Sequence, residues 1–333
     1  NVFYNLYNVM KNTMGKPVLD AETGRDVGPD AWPVARYFIQ VDTAAVRKNN
    51  TVNSDDIVVP EIRCEIPKSK LEGGLSKSDF AMLNIIASNA ASGWKRPIYF
   101  TSEFGSLGFG PYLRKDGLSY RLIPVVTTFD PNSWVVESSV RSMGLSSQLG
   151  DINSNAMFNN LSTKYKFGNA NVKGVYYDEE NRRHILDIRE IFAEAAGDLA
   201  DKGRKEEALK LLEKLEKGIS TDNLPYAMPS RYYGSSHNQT GLILLEAYYK
   251  AGKKDMAEKV RQALKTDMQQ QKAYFDNMKE ERPADYESYK RSEDALNNIY
   301  LMVLEEIEKK YAPASPTEKA GGETPGQIKM PGD

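Results

Sequence analysis

The chain has 333 residues, 40% of them apolar, and a formal net charge of −2, which suits one large or two ordinary globular domains. That balance excludes a general field drawing in nucleic acid or anionic membrane. A single cysteine, Cys64, excludes an internal disulfide framework, and no apolar run reaches the roughly 20 residues of a transmembrane helix.

The chain opens NVFYNLYNVM, with no initiating Met and no signal peptide, and reads as a processed piece of a longer protein. Residues 1–33, rich in Gly, Pro and Asp, read as an irregular lead-in. Residues 34–173 read as an α+β or α/β domain. Arg36–Val41 is an apolar and aromatic run of strand length, and Asp42–Asp56 is polar, with NNTVNSDD (Asn49–Asp56) a surface loop. The adjacent Asp55 and Asp56 read as a turn, because neighbouring carboxylates in extended chain point opposite ways and no His lies nearby.

Across Ile57–Ile66, the residues Ile62, Cys64 and Ile66 share one face and Glu61, Arg63 and Glu65 the other, the mark of a half-buried strand. Ser76 or Ser78 caps a helix running to about Ala91, with Phe80, Leu83, Ile86 and Ala87 inward. Gly93 ends it, Pro97 forbids its return, and Ile98–Thr101 supplies the next strand. Strand, helix and strand at this spacing predict a βαβ unit within a mixed sheet, the Ile62–Ile66 and Ile98–Phe100 strands being parallel neighbours. Leu107–Arg114 holds a short helical turn. Leu118–Val126 is a further strand, with Pro124 at an edge or end. Residues 127–173 mix loops with a short helix near Asn155–Phe167.

Residues 174–311 read as an all-α domain. Asp178 caps a helix whose first turn carries Glu179 and Glu180, and Ile185, Ile188, Phe192, Ala195 and Leu199 step by three or four. A turn at Lys202-Gly203 leads to a second helix, Lys205–Lys217. Gly252 and Ala257 repeat the placing of Gly203 and Ala208 at an offset of 49 residues. This is a degenerate, tetratricopeptide-like pair, longer than the usual period of about 34 by the length of an intervening loop. A last helical stretch, Tyr286–Tyr311, is expected to pack on the second pair. Residues 312–333, rich in Pro and Gly, read as a disordered tail.

No signature of catalysis stands out. His184 and His237 are far apart and lack zinc-ligand spacing, and GSLGFG follows no phosphate-loop pattern; no cofactor or metal is expected. Two clusters suit binding. Near the corner strand lie Trp94, Arg96, Tyr112 and Arg114, a cation and aromatic set suited to a phosphate-bearing or sugar ligand; the alternative makes Trp94 core and the cations ordinary surface. The loop Asn223–Asn238 carries Tyr226, Arg231, Tyr232, Tyr233 and His237, which line a groove for an extended peptide or glycan or else pack between helical layers.

The stretch ASGWKRPIYFTS, followed by GPYLRKDGLSYRLIPV, resembles the soluble C-terminal part of a family of bacterial multi-spanning membrane proteins, which is similar to protein O-mannosyltransferases of the GT-C superfamily. RYFIQVDTAAV and the segment starting GVYYDEENRRHILDIREIF resemble neighbouring parts of that family, so the likeness runs from about Tyr37 to Leu304. It implies a partner in the transmembrane half of the same protein, with acceptor protein or glycan as a further partner. It implies a place on the periplasmic side of the inner membrane. Catalytic acids in such enzymes sit in the membrane half, so none is carried onto this chain. The expectation is a non-catalytic domain aiding acceptor or glycan binding. The alternatives are a helical-repeat scaffold for a protein partner and a soluble enzyme whose site the sequence does not reveal.

Overall fold

A computed structural model describes residues 2–13, 32, 34–101, 106–125, 129–143, 150–229, 231–232 and 235–311, with backbone alone for 13, 231, 232, 235 and 236. The tail read at 312–333 lies outside the described residues. Part of the lead-in is regular, which corrects the sequence reading. Tyr4–Asn5 forms β1 and Leu6–Thr13 forms α1, because Leu6, Val9 and Met10 make a helical stripe that is buried.

The first sheet has the order β1-β2-β3. β1 runs parallel to β2 (Arg36–Gln40), and α1 lies in the connection between them. β3 (Glu61–Glu65) is antiparallel to β2, with Cys64 opposite Tyr37. Ile62, Cys64 and Ile66 are buried as the alternation requires. Burial pushes the Cys64 thiol up to about 12, so it is an inert packing group. Asp42 caps the short α2 (Thr43–Lys48) through Ala44 and Ala45, and α3 (Lys68–Glu72) follows β3. Ser76 and Asp79 form a reciprocal capping box at the start of α4 (Lys77–Ala91).

The expected parallel pairing of Ile62–Ile66 with Ile98–Phe100 does not occur. β4 (Tyr99–Phe100) belongs to a second sheet, order β4-β6-β5, with β5 (Leu113–Lys115) and β6 (Tyr120–Leu122), and both its pairings are antiparallel. The chain changes direction at the end of α4. Gly93 and Trp94 both take positive φ, +82° and +55°, and Trp94 N–H closes back on the Asn89 carbonyl. Trp94 buries its ring, and its indole N–H donates to the Gln40 carbonyl at the end of β2 (2.9 Å). After this anchor the chain runs on to pair with β6 rather than with β3. The mixed sheet holds a strand–helix–strand unit after all, but it is β1-α1-β2. Beyond β6, Val59 N–H donates to the Pro124 carbonyl (2.9 Å) and Val58 bridges Val125, so the segment before β3 ties the two sheets together.

The second part is mostly helical. α5 (Val135–Ser142) and α6 (Ser154–Thr163) lead to α7 (Glu179–Asp201) and α8 (Lys205–Gly218). β7 (Arg231–Tyr232) and β8 (Ser235–Ser236) form a two-stranded pair in the long loop. Then come α9 (His237–Ala251), α10 (Lys254–Glu281), a single turn α11 (Pro283–Asp285), a π-helical turn at Tyr286–Lys290 and α12 (Arg291–Tyr311). α12 packs on α9 and α10 as expected. α5 was not foreseen; its first-turn amides Val135 and Val136 are capped by the Glu246 carboxylate of α9 (2.7 and 3.0 Å), a partner more than a hundred residues away.

Two helix ends, those of α7 and α9, share one backbone geometry. At the end of α7, Gly203 donates to Ala200 and Arg204 to Leu199; at the end of α9, Gly252 donates to Tyr249 and Lys253 to Tyr248. Both are Schellman closures with glycine in the left-handed region, φ +75° and +81°. Ala208 and Ala257, the equivalent small residues one turn into α8 and α10, are both fully buried. One apolar core runs through residues 6–125 and a second through residues 134–307.

Candidate functional site

β5 links the two cores. Successive residues on a strand face opposite ways, and Arg114 and Lys115 follow that rule to different partners. The Arg114 guanidinium grips Asp56 with both terminal nitrogens (2.9 Å each), and its Nε donates to Asp151 (2.8 Å). All three side chains are nine-tenths buried or more. Burial disfavours the Arg114 charge, but the two aspartates outweigh it and hold the group above its ordinary pKa. Lys115 reaches α7, where Nζ lies 2.8 and 2.6 Å from the two Glu194 oxygens. Its burial likewise works against the charge and is overcome by Glu194.

Arg114 and its aspartates border a cleft of about 670 Å³, within the range of small-ligand sites. One wall comes from the loop before β3, including Asn53, Asp55 and Ile57. The other comes from Asn155 at the start of α6 and from Lys202 and Arg204 at the α7–α8 turn. The cations are already engaged. Lys202 pairs with Asp198 (2.8 Å) and donates to Ser154 Oγ (2.7 Å). Arg204 pairs with Glu207 (2.6 Å) and donates to Asn155 Oδ1 (2.9 Å). Asp55 is exposed, and Ile57 is 80% exposed.

The structure does not bring the sequence-derived candidates into one place. Trp94 is core. Arg96 is exposed, and its backbone, rather than its guanidinium, is held by the Asn89 side chain (2.9 and 3.2 Å). Tyr112 is half-buried, and its hydroxyl accepts from the Arg63 amide (3.3 Å). Arg114 is the member of that set that lies in the cleft.

In the long loop, Tyr226 turns inward and its hydroxyl donates to Glu216 (2.8 Å), which also accepts from Tyr248. Arg189, buried on α7, holds the loop by the Leu224 and Pro225 carbonyls (2.5 and 2.6 Å) and lies 5.5 Å from the Tyr226 ring centre. With no carboxylate bonded to it among the described residues, burial draws it down to about 10. His237 is fully buried at the start of α9, and burial, reinforced by Arg189 and Arg182, lowers it to about 4. These are packing roles. The side chains of Arg231 and Tyr232, and all of Tyr233, lie outside the described residues. His184, on the exposed side of α7, sits 3.4 Å from Glu180.

Sequence reasoning missed Asp151, Lys202 and Arg204, which are ordinary in local context. Asp56 was read as a turn residue, and it is one, accepting from the Asn53 amide (2.6 Å), but the same carboxylate also binds Arg114. Among the described residues no group of three or more His, Cys, Asp or Glu side chains is placed to hold a metal, and no helix is long and apolar enough to cross a membrane.

Comparison with known proteins gives one positive finding. Residues 3–140 match the model of a family described as TMEM260-associated domain 2, which ties this segment to a membrane-protein family. That segment holds both sheets and Arg114. No curated protein and no solved structure matches the chain.

Proposed function

We propose that this chain is a non-catalytic, extracytoplasmic binding domain of a membrane-embedded, glycosyltransferase-like protein, and that the Arg114 cleft receives the acceptor protein or glycan. The family match over residues 3–140 carries the reading, because it ties the segment with both sheets to a membrane protein. The resemblance of residues 91–125 to the soluble part of GT-C-like proteins supplies the glycosyltransferase element. On this reading the domain sits on the periplasmic side of the inner membrane, beside the transmembrane half. The α/β domain then spans residues 34–173 and the helical, tetratricopeptide-like domain 174–311, so the cleft draws its walls from both, a common location for ligand sites.

A photo-crosslinking residue at Ile57, in the cleft of the membrane-bound parent, tests this. The expected products are adducts with an acceptor glycoprotein or glycan. Adducts with neither, at a position 80% exposed, contradict it. A second reading is favoured by the duplicated Gly203 and Gly252 hairpins: a helical-repeat scaffold for a protein partner, unrelated to glycosylation. That reading expects crosslinks from the α10 face around Lys259 and none from Ile57.

A further inference from the structure

The cleft has a chemistry that narrows its ligand. Its three basic side chains are each neutralised within the protein: Arg114 by Asp56 and Asp151, Lys202 by Asp198, Arg204 by Glu207. Among the described residues an anionic ligand therefore finds no uncommitted cation there and meets Asp55, Asp56 and Asp151. A cationic ligand finds Asp55, which has no ion pair among the described residues, but it must also approach Lys202 and Arg204. With these partners the cleft holds five carboxylates against three cations, so an anionic ligand is disfavoured, while displacing a buried partner to seat a cation is costly.

What the lining does offer is close alternation of donors and acceptors. Asn155 and Ser154 already join the side chains of Arg204 and Lys202, Asn53 lies beside Asp56, and Asp55 adds exposed acceptor oxygens. Groups that both donate and accept from one atom match such a lining, and hydroxyls are those groups. Between these polar residues Ile57 stands 80% exposed and offers an apolar face to the C–H side of a ring, while Val125 and Ile152 back the cleft from the core. The volume of about 670 Å³ exceeds one sugar ring.

We propose that the cleft binds a neutral, hydroxyl-rich ligand, a short uncharged oligosaccharide, with Asp55 accepting from its hydroxyls and Ile57 covering an apolar face. This rests on the binding-domain reading above and chooses glycan over peptide within it.

Methyl NMR on the full chain, with Ile and Val labelled, reads the cleft directly at Ile57, Val125 and Ile152. The probes are neutral trisaccharides (maltotriose, cellotriose and mannotriose), trigalacturonate as the charged counterpart, and an uncharged hexapeptide rich in Ser and Thr. The proposal expects at least one neutral trisaccharide to shift these methyls, with trigalacturonate weaker. It expects Asp55→Ala, a change at an exposed residue that leaves the other methyls unmoved, to weaken binding about tenfold. Wild-type affinity in Asp55→Ala, or tighter binding of trigalacturonate, overturns it. Shifts from the peptide and none from the sugars overturn the ligand class and leave the binding-domain reading standing. Shifts from no probe overturn both.

Discussion

Lys115 of β5 and Glu194 of α7, 79 residues apart in sequence, meet at 2.6 Å inside the protein, the lysine nine-tenths buried and the glutamate fully so. The pair clasps the sheet-bearing part to the helical part. Lys115→Met leaves Glu194 buried beside Glu190 without its cation, and the expected cost is ~3–5 kcal/mol in chemical denaturation. Lys115→Met combined with Glu194→Leu should recover much of it. A single-variant cost under about 1 kcal/mol would show that the two groups are not held together out of water.

Glu190, one turn from Glu194, gives the fold a pH dependence with a definite sign. Burial first, then the Glu194 charge, pushes its carboxyl up to about 7; Lys115 and the Thr240 hydroxyl (2.6 Å) pull it down, and Asp187 pushes it up. The folded chain therefore binds more protons than the unfolded chain between about pH 4.3 and 7, and this group's contribution to stability falls as pH rises through that range. Glu190→Gln should flatten the decline and be more stable than the parent above pH 7, by up to ~3 kcal/mol. His237, lowered to about 4, acts with the opposite sign, its contribution being lost as pH falls from about 6.5. The difference between parent and Glu190→Gln curves isolates the glutamate, and a difference independent of pH would contradict the assignment.

The helix-ending glycines test the internal repeat. A Cβ at Gly203 or Gly252 meets nothing within 4 Å, so backbone conformation alone sets the cost of alanine there. Each substitution should cost ~1–2 kcal/mol, and the two should agree within about 0.5 kcal/mol. Gly197 differs: a methyl there overlaps the Trp134 ring, and Gly197→Ala should cost ~2–3 kcal/mol by overpacking. Thermal unfolding of the three variants checks this, and a Gly203→Ala cost matching that of Gly197→Ala would argue against it.

Much of this was legible in the sequence because its causes are local. The Ser76 cap, the Asp178 cap, the Ile62-Cys64-Ile66 alternation and the repeated glycine turns need only neighbours within a few residues. The partner of β4 was not legible. It is a pairing of two residues with a strand that comes later in the chain, and two residues leave no pattern. α5 stayed hidden for the same reason, since its cap comes from Glu246. The cleft was half legible. Arg114 stood out as a cation among aromatics, whereas Asp151 and Arg204 acquire meaning only when the α7–α8 turn comes up against the sheets.

Asp55 and Asp56 are neighbours with opposite burdens. Asp56→Ala strips Arg114 of a bidentate partner and should cost ~3–5 kcal/mol. Asp55→Ala, at an exposed position, should stay within about 0.5 kcal/mol. Denaturant midpoints of the two variants decide it, and equal losses would mean that the Arg114 site is not assembled as described.

The most direct test of the central claim is steady-state sugar transfer by the membrane-bound parent protein, compared with the isolated chain and with the parent carrying Asp55→Ala. A binding domain predicts no transfer by the isolated chain, and in the Asp55→Ala parent a KM for acceptor raised about tenfold at unchanged kcat. Transfer by the isolated chain, or a fall in kcat with KM unchanged, would contradict it.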